Sequence, residues 1–447
     1  MKNKKIIGLV GEVCIDVTLP TLNNCEKLRL GGIIHAARAC FGMDVSFKLF
    51  YISPPNYSSL IEKYVQELGV TTIKRFGDVF DSPSVMLINE VKEAGDQGYS
   101  YLLNQESRYI YNRECLEEIE KSTEITDFLI IAGDYDLKRV MQVCYTTKAN
   151  IHLDVANMQV DLRYLRSLPR KLQTLFASTS SRFFIENCRR TTKTLLRKVK
   201  KLDCYEEFIF KENRGGSLII TNDSLEHIDA QISHTEHSVG VGDVFALAYV
   251  WMRPDNSAKI AGTYASWIAA EYAKTTFIDK FKLGCQRVLK LTPSEIYDLQ
   301  GILLPWEDRK QLNIYIAAPD FDYMDRSDIN RAGKCLEYHN FNVRYPVREN
   351  GQLTESMNAE EKKELFIKDI RLLNKSDLLF AVLTCNDPGT LIEIGYAKAR
   401  NIPVIVYDPD LIAQNLFLTE LPDLLTQDIE KAISYVFILL NKRKNYK

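Results

Sequence analysis

The chain has 447 residues, 46% of them hydrophobic, with 57 Lys and Arg set against 59 Asp and Glu. That length asks for two or three domains, and the near-balanced charge excludes a global field that would draw the protein to nucleic acid or to an anionic membrane. The longest apolar runs are strand-sized and far short of a bilayer-spanning helix.

The start, Met1-Lys2-Asn3-Lys4-Lys5, is basic, but Ile6 to Val10 is too short for a signal-peptide core and reads as a buried first strand. A helix follows from about Ile33 to Phe41, then a strand near Phe47 to Tyr51 and a helix from Ser58 to Leu68. Val85 to Asn89 and Tyr99 to Leu103 form a hairpin around the polar turn Glu93-Ala94-Gly95-Asp96. Phe128 to Ala132 and Ile151 to Val155 are core strands, the second carrying Asp154 near its end. Leu218 to Ile220 is another strand, and Val244 to Met252 begins a long apolar helix. Such alternation predicts a three-layer α/β domain over 1–300. Residues 301–312 have linker composition, with the boundary near 308, and a second, smaller α/β domain fills 313–447. The tail from Lys442 to Lys447 is charged and solvated. Ten cysteines are scattered without a CxxC pair or a Cys/His cluster at metal spacing, so no metal site is predicted, and the expectation is reduced, mostly buried thiols in a cytoplasmic protein.

Within the second domain, Ile314 to Pro319 is a strand running into a turn, and Asp369 lies on an amphipathic helix that ends at Ser376-Asp377. The apolar run Leu378 to Leu383 then feeds Asn386-Asp387-Pro388-Gly389-Thr390, where a helix starts with Glu393 in its first turns. Pro403 to Tyr407 is the next strand, and Asn415-Leu416 lies beyond it. This order places Asp387 and Glu393 at the carboxyl edge of a parallel sheet, where open α/β sheets bind ligands. Two carboxylates at one edge suit chemistry on a glycosidic carbon.

Residues 313–430 resemble the nucleoside 2-deoxyribosyltransferase family, whose signature is met at Asp387, Gly389 and Glu393. The resemblance implies a Rossmann-like or flavodoxin-like parallel sheet without a cofactor. It implies Glu393 as the nucleophile on the anomeric carbon, Asp387 and Asp369 as contacts of the base that manage its proton, and Tyr315 as the residue orienting the nucleophile. Asn415 matches a position that reaches the sugar in a neighbouring subunit's site, which implies a homo-oligomer. Whether a second base or water takes the sugar stays open. So does the choice between a nucleoside and its 5'-monophosphate. The first loop, Ala317-Ala318-Pro319-Asp320-Phe321-Asp322, is acidic and disfavours a phosphate, while Arg326 and Arg348 remain as potential anion ligands.

In the first domain, Ser238-Val239-Gly240-Val241-Gly242-Asp243 precedes a helix, a setting that lets backbone amides approach a phosphate. Asp243 is then positioned as a base for an attacking hydroxyl. Lys211 to Ser217, with Gly215 at its turn, fits the nucleotide side, and Gly11-Glu12, Asp16, Gly31 and Gly32 fit a sugar pocket. Together they resemble the ribokinase (PfkB) family of carbohydrate and nucleoside kinases over residues 5–290. The resemblance implies a ribokinase-like α/β/α fold, ATP and Mg as cofactors, Asp243 as catalytic base, Gly240 and Gly242 as the anion hole, and Asp16 as a ligand of substrate hydroxyls. Three departures stand against it. Ile33-Ile34-His35-Ala36 replaces the usual Asn after the Gly-Gly pair, no Asn-x-x-Glu stands around Ser178 to Phe184, and His237 replaces an acidic residue.

Two functions follow for the whole chain. In one, a deoxyribosyl-transferring or nucleoside-hydrolysing domain is fused to a kinase of nucleosides or sugars. In the other, a degenerate kinase-like domain senses a nucleotide or sugar and gates a nucleotide-hydrolysing effector. Both predict nucleoside or nucleotide small molecules as partners.

Overall fold

The computed structural model describes residues 5–445 except 21–24, 104–105, 156–157, 159–160 and 233. The basic start at 1–4 and the last two residues of the charged tail lie outside them. The chain packs as two units, Met1–Lys92 with Gln97–Leu303, and Glu93–Asp96 with Leu304–Lys447. The 301–312 segment carries a short helix, Trp306–Arg309, and buries Leu304, Trp306 and Arg309.

In the first unit, the described residues form a sheet of ten strands. Its order is Leu225–Ile228, Ser217–Ile220, Tyr205–Lys211, Leu172–Ser178, Asn150–Asp154, Asp127–Ile131, Ile7–Glu12, Phe47–Ser53, Thr72–Phe80 and Arg108–Tyr111. The central strands pair in parallel from Tyr205–Lys211 to Thr72–Phe80, and antiparallel strands close both edges. Strands covered on both faces read as continuous apolar runs; every residue of Asp127–Ile131 is buried. The helices Ile34–Gly42, Val241–Met252 and Ala258–Ala273 supply the main apolar layer against that sheet. A second sheet, Lys27–Leu30, Ile15–Thr18, Val85–Ile88 and Ser100–Tyr101, contains the expected hairpin, with Met86 opposite Tyr101.

The second unit has five parallel strands among its described residues, ordered Asn342–Arg344, Asn313–Ala317, Leu378–Val382, Val404–Tyr407 and Leu424–Thr426. In chain order this is 2-1-3-4-5, the flavodoxin-like order, and its ligand crevice lies where the order reverses, between the first and third strands. Those are Asn313–Ala317 and Leu378–Val382, whose ends lead into the acidic first loop and into Asp387.

All ten cysteines are free thiols, and seven are buried. Among the described residues, no helix is long and apolar enough to cross a membrane.

Candidate functional site

The helix Pro388–Ala399 begins where the Leu378–Val382 strand leaves the sheet. Pro388 suits the first helical position because its fixed φ matches the helix and its missing N–H has no intrahelical partner there. Asp387 is the N-cap: its Oδ2 accepts from the Thr390 backbone N–H at 2.7 Å and from the Thr390 hydroxyl at 2.8 Å. Thr390, Ile394 and Ala397 are the buried side of the helix. Glu393, three residues after Thr390 and beside Ile394, is thereby turned toward the sheet. There the fully buried Tyr315, from the middle of the Asn313–Ala317 strand, donates its hydroxyl to Glu393 Oε1 at 2.5 Å.

Burial pushes the Glu393 carboxyl up to about 7; the Tyr315 hydrogen bond opposes that rise, and the charges of Asp369 and Asp387 add to it. Burial, then Glu393 itself, drives the Tyr315 phenol far above its ordinary range, so Tyr315 stays a donor. Asp369, on the Ala359–Asn374 helix, is half-buried, and burial raises its carboxyl while a hydrogen bond from Asn350 Nδ2 at 2.8 Å opposes the rise. Tyr315, Asp369, Asp387 and Glu393 therefore form one cluster at the switch point. A carboxylate poised near neutrality beside two more is an arrangement able to attack carbon and to manage a proton.

Asn415 is apart from these four in its contacts. It is exposed and caps the short helix Leu416–Glu420, its side chain accepting from the Phe417 N–H at 2.9 Å. The two arginines near the first loop are engaged. Arg348 grips the buried Asp320 with Nε at 2.5 Å and Nη2 at 3.0 Å, and its Nη2 also meets Asn330 Oδ1 at 2.8 Å. Arg326 bonds Asp322 at 3.0 Å and lies 3.9 Å from Asp320.

In the first unit a second carboxylate cluster gathers at the sheet's carboxyl edge. Gly240 is the N-cap of Val241–Met252, at φ 78°, and a Cβ there would fall 2.1 Å from His35 Cγ, so only glycine fits. Asp243 lies in that helix's first turn. Burial and the Asp154 charge push its carboxyl up to about 7, with Lys211 opposing and Asp16 adding to the rise. Lys211 Nζ bonds Asp154 Oδ2 at 2.5 Å and the Gly242 carbonyl at 3.2 Å. A Cβ on Gly242 would stand 3.1 Å from that ammonium. Gly215 is buried in its own turn, Asn213–Gly215, its N–H bonded to the Glu212 carbonyl at 3.1 Å. Glu12, at the end of its strand, is pushed up to about 7 by burial and by Asp134.

The acidic pocket residue Asp16 is buried, and Gly31 lies against it: a Cβ there would fall 2.2 Å from Asp16 Oδ1. His35, also buried, meets Asp16 Oδ2 through Nε2 at 3.0 Å, and its Nδ1 meets the Tyr272 hydroxyl at 2.8 Å and Arg38 Nη1 at 3.2 Å. His237 is held between Arg29 Nη2 and the Thr275 carbonyl, each at 3.1 Å. His35 and His237 stand in the sequence only as departures from the family pattern, and nothing there points to Arg38 or Tyr272. Lys211, expected on the nucleotide side, and Asp154, expected near its strand's end, are brought together by the fold. Among the described residues no group of three or more His, Cys, Asp or Glu is placed to hold a metal ion. Magnesium bound here would have to be held mainly by nucleotide oxygens and water, as this ion usually is.

Residues 314–420 match the sequence model of the nucleoside 2-deoxyribosyltransferase family. No curated protein matches the chain in sequence. Among solved structures, a fructokinase with bound ATP from Xylella fastidiosa aligns at a TM-score of 0.50 with 14% identity, covering 64% of this chain and 98% of that one. A ribokinase from Thermotoga maritima aligns at 0.46 and 13%, covering 64% and 100%, and one from Arabidopsis thaliana, complexed with ribose and ATP, at 0.47 and 13%, covering 64% and 99%. At such identities the likeness is one of fold: the N-terminal unit has the ribokinase-like architecture. The expected fold classes hold for both units, and both of these families are families of enzymes.

Proposed function

We propose that the C-terminal unit cleaves or exchanges the N-glycosidic bond of (deoxy)nucleosides, with Glu393 as nucleophile. The observation that carries this reading is the 2.5 Å bond from Tyr315 to a Glu393 carboxyl poised near 7, at the switch point of the sheet. Ionised Glu393 attacks the anomeric carbon. The bond to the base breaks with its electron pair on the base nitrogen, which a carboxylic acid protonates. Asp369 suits that acid, since burial favours its protonated form; Asp387 has one oxygen committed to Thr390 and lends its other to the base. A second base or water then attacks the glycosyl ester, gives its proton to the Asp369 carboxylate, and frees ionised Glu393. Splitting one displacement into two lowers each barrier, and the carboxylate stabilises the oxocarbenium character of both.

Arg348 and Arg326 bear on the substrate class. Both arginines are neutralised by first-loop carboxylates, so neither presents free charge to a 5'-phosphate. That favours a nucleoside over its monophosphate. Asn415 is exposed beside Leu416 and Phe417, which are 71% and 75% exposed; such a segment supports a homo-oligomer in which Asn415 serves a neighbouring copy.

The test is to incubate the full chain with a deoxynucleoside and a different free base and to separate the products. Exchange means transferase and free base without exchange means hydrolase. No turnover of nucleosides or nucleotides, or turnover that survives in Glu393→Ala, contradicts the reading. For the N-terminal unit, Asp243, Gly240, Gly242 and Lys211 support binding of an anionic phosphate, ATP in the kinase reading, with magnesium held largely by that nucleotide. The Asp16 side favours the other reading, a kinase-like fold kept for binding.

A further inference from the structure

Phosphorylation of a hydroxyl at the N-terminal site, on the kinase-like reading of Asp243, needs room for the acceptor between Asp16 and the start of the Val241–Met252 helix. Asp16 and Gly240, the N-cap of that helix, both stand against one side chain, His35, and the Asp16 charge adds to the rise of the Asp243 carboxyl. The His35 ring occupies the space between them. On one side its Nε2 reaches Asp16 Oδ2 at 3.0 Å, and on the other the ring lies so close to Gly240 that a Cβ there would overlap it.

Three neighbours fix the ring's chemistry. Arg38 is a donor only, so its Nη1 at 3.2 Å makes Nδ1 the acceptor, and the Tyr272 hydroxyl at 2.8 Å donates to the same nitrogen. Nε2 then carries the proton and donates to Asp16. Arg38 is itself fastened to the Leu30 carbonyl and the Tyr64 hydroxyl, each at 2.8 Å. Burial pushes the His35 imidazole down to about 4; Asp16 opposes that fall, and Arg29 and Arg38 add to it, so the ring stays neutral. Asp16 is held below its usual range: burial works against its charge, but the His35 bond and Arg29 outweigh it. The result is a neutral N–H donor on a carboxylate, which is the contact a sugar hydroxyl would make.

We infer that His35 is a built-in occupant of the acceptor pocket, taking the place of a hydroxyl on Asp16, so that the N-terminal unit does not phosphorylate a sugar. The phosphate side, with Lys211 and Gly242, is left as a binding half without an acceptor.

The experiment uses the full chain, γ-labelled ATP with magnesium, and ribose, 2-deoxyribose and fructose as acceptors, sugars that lack the N-glycosidic bond of the C-terminal reaction. Wild type is expected to transfer no label and to show no thermal shift with any sugar. His35→Ala, with its fold checked by circular dichroism, is expected to gain a sugar-dependent shift of about 2–4 °C as the pocket opens. Asp243-dependent label transfer by wild type overturns the inference, and so does a folded His35→Ala that binds no sugar. A second measurement needs no variant: the imidazole nitrogens of His35 in wild type should show a protonated Nε2 and no titration from pH 5 to 8. Titration within that range overturns the inference as well. ATP that shifts neither protein, with sugars still stabilising His35→Ala, counts against the kinase-like reading alone.

Discussion

Tyr315 and Glu393, 78 residues apart in sequence, meet at 2.5 Å with the phenol donating to the carboxylate. That bond lowers the Glu393 pKa, while Asp369 raises it. Nucleophilic attack needs the ionised carboxylate, so kcat/KM should rise with pH through a limb near 7. Tyr315→Phe should move the limb upward and reduce kcat/KM at pH 7 by about 10- to 100-fold. Asp369→Asn should move the same limb downward, with its own loss of rate from the missing acid. Equal limbs in both variants would contradict the assignment of that limb to Glu393.

Glu393 also makes stability depend on pH. Its carboxyl is raised from 4.5 to about 7, so between those values the folded protein holds a proton that the unfolded chain has released. Its contribution to stability therefore falls as pH rises through that window. Glu393→Gln carries no such charge. The variant should lose activity, and its gain in unfolding free energy over wild type should be larger at pH 8 than at pH 5 by about 2–3 kcal/mol. Denaturant titrations at the two pH values measure this directly.

Asp387 is both a helix cap and a member of the carboxylate cluster, and two substitutions separate the roles. Asp387→Asn keeps a cap for Thr390 and removes the charge, so stability should hold while activity falls. Asp387→Ala should lose activity and, in addition, about 1 kcal/mol of stability. Thermal melts beside steady-state rates distinguish the two.

Asp320 pairs with Arg348 and lies 3.9 Å from Arg326, and on the proposed reading that pairing sets substrate choice. Wild type should prefer a deoxynucleoside over its 5'-monophosphate by about 100-fold in kcat/KM. Asp320→Asn, which frees Arg348 for an anion, should narrow that preference by about 10-fold. A wild type that prefers the monophosphate would contradict the reading of the first loop.

Part of the C-terminal cluster is legible in the sequence because one segment carries it, whereas Tyr315, 78 residues from Glu393, is reached only through the family resemblance. Asp387, Thr390 and Glu393 share one strand-to-helix turn, and the apolar run before them identifies the strand that carries it. The buried contacts of the N-terminal cluster join separate segments and are not read from any one of them. His35 reaches Asp16 across 19 residues and Tyr272 across 237, and Lys211 reaches Asp154 across 57. Strand Tyr205–Lys211 is hidden in the sequence because Glu206 and Glu207 interrupt its apolar run. Glu207 is in fact buried, with partners in Tyr249 at 2.8 Å and Arg253 at 2.7 Å, a pairing that only the fold reveals. Thr72–Phe80 is masked in the same way by Lys74 and Arg75.

The covalent intermediate is the most direct test of the central claim. The full chain is mixed with a deoxynucleoside, quenched in acid within the first turnover, digested and mapped by mass spectrometry. The account predicts a 2-deoxyribosyl adduct on the peptide containing Glu393, absent in Glu393→Gln. Rapid turnover with no adduct on that peptide, or an adduct on another carboxylate, would contradict it.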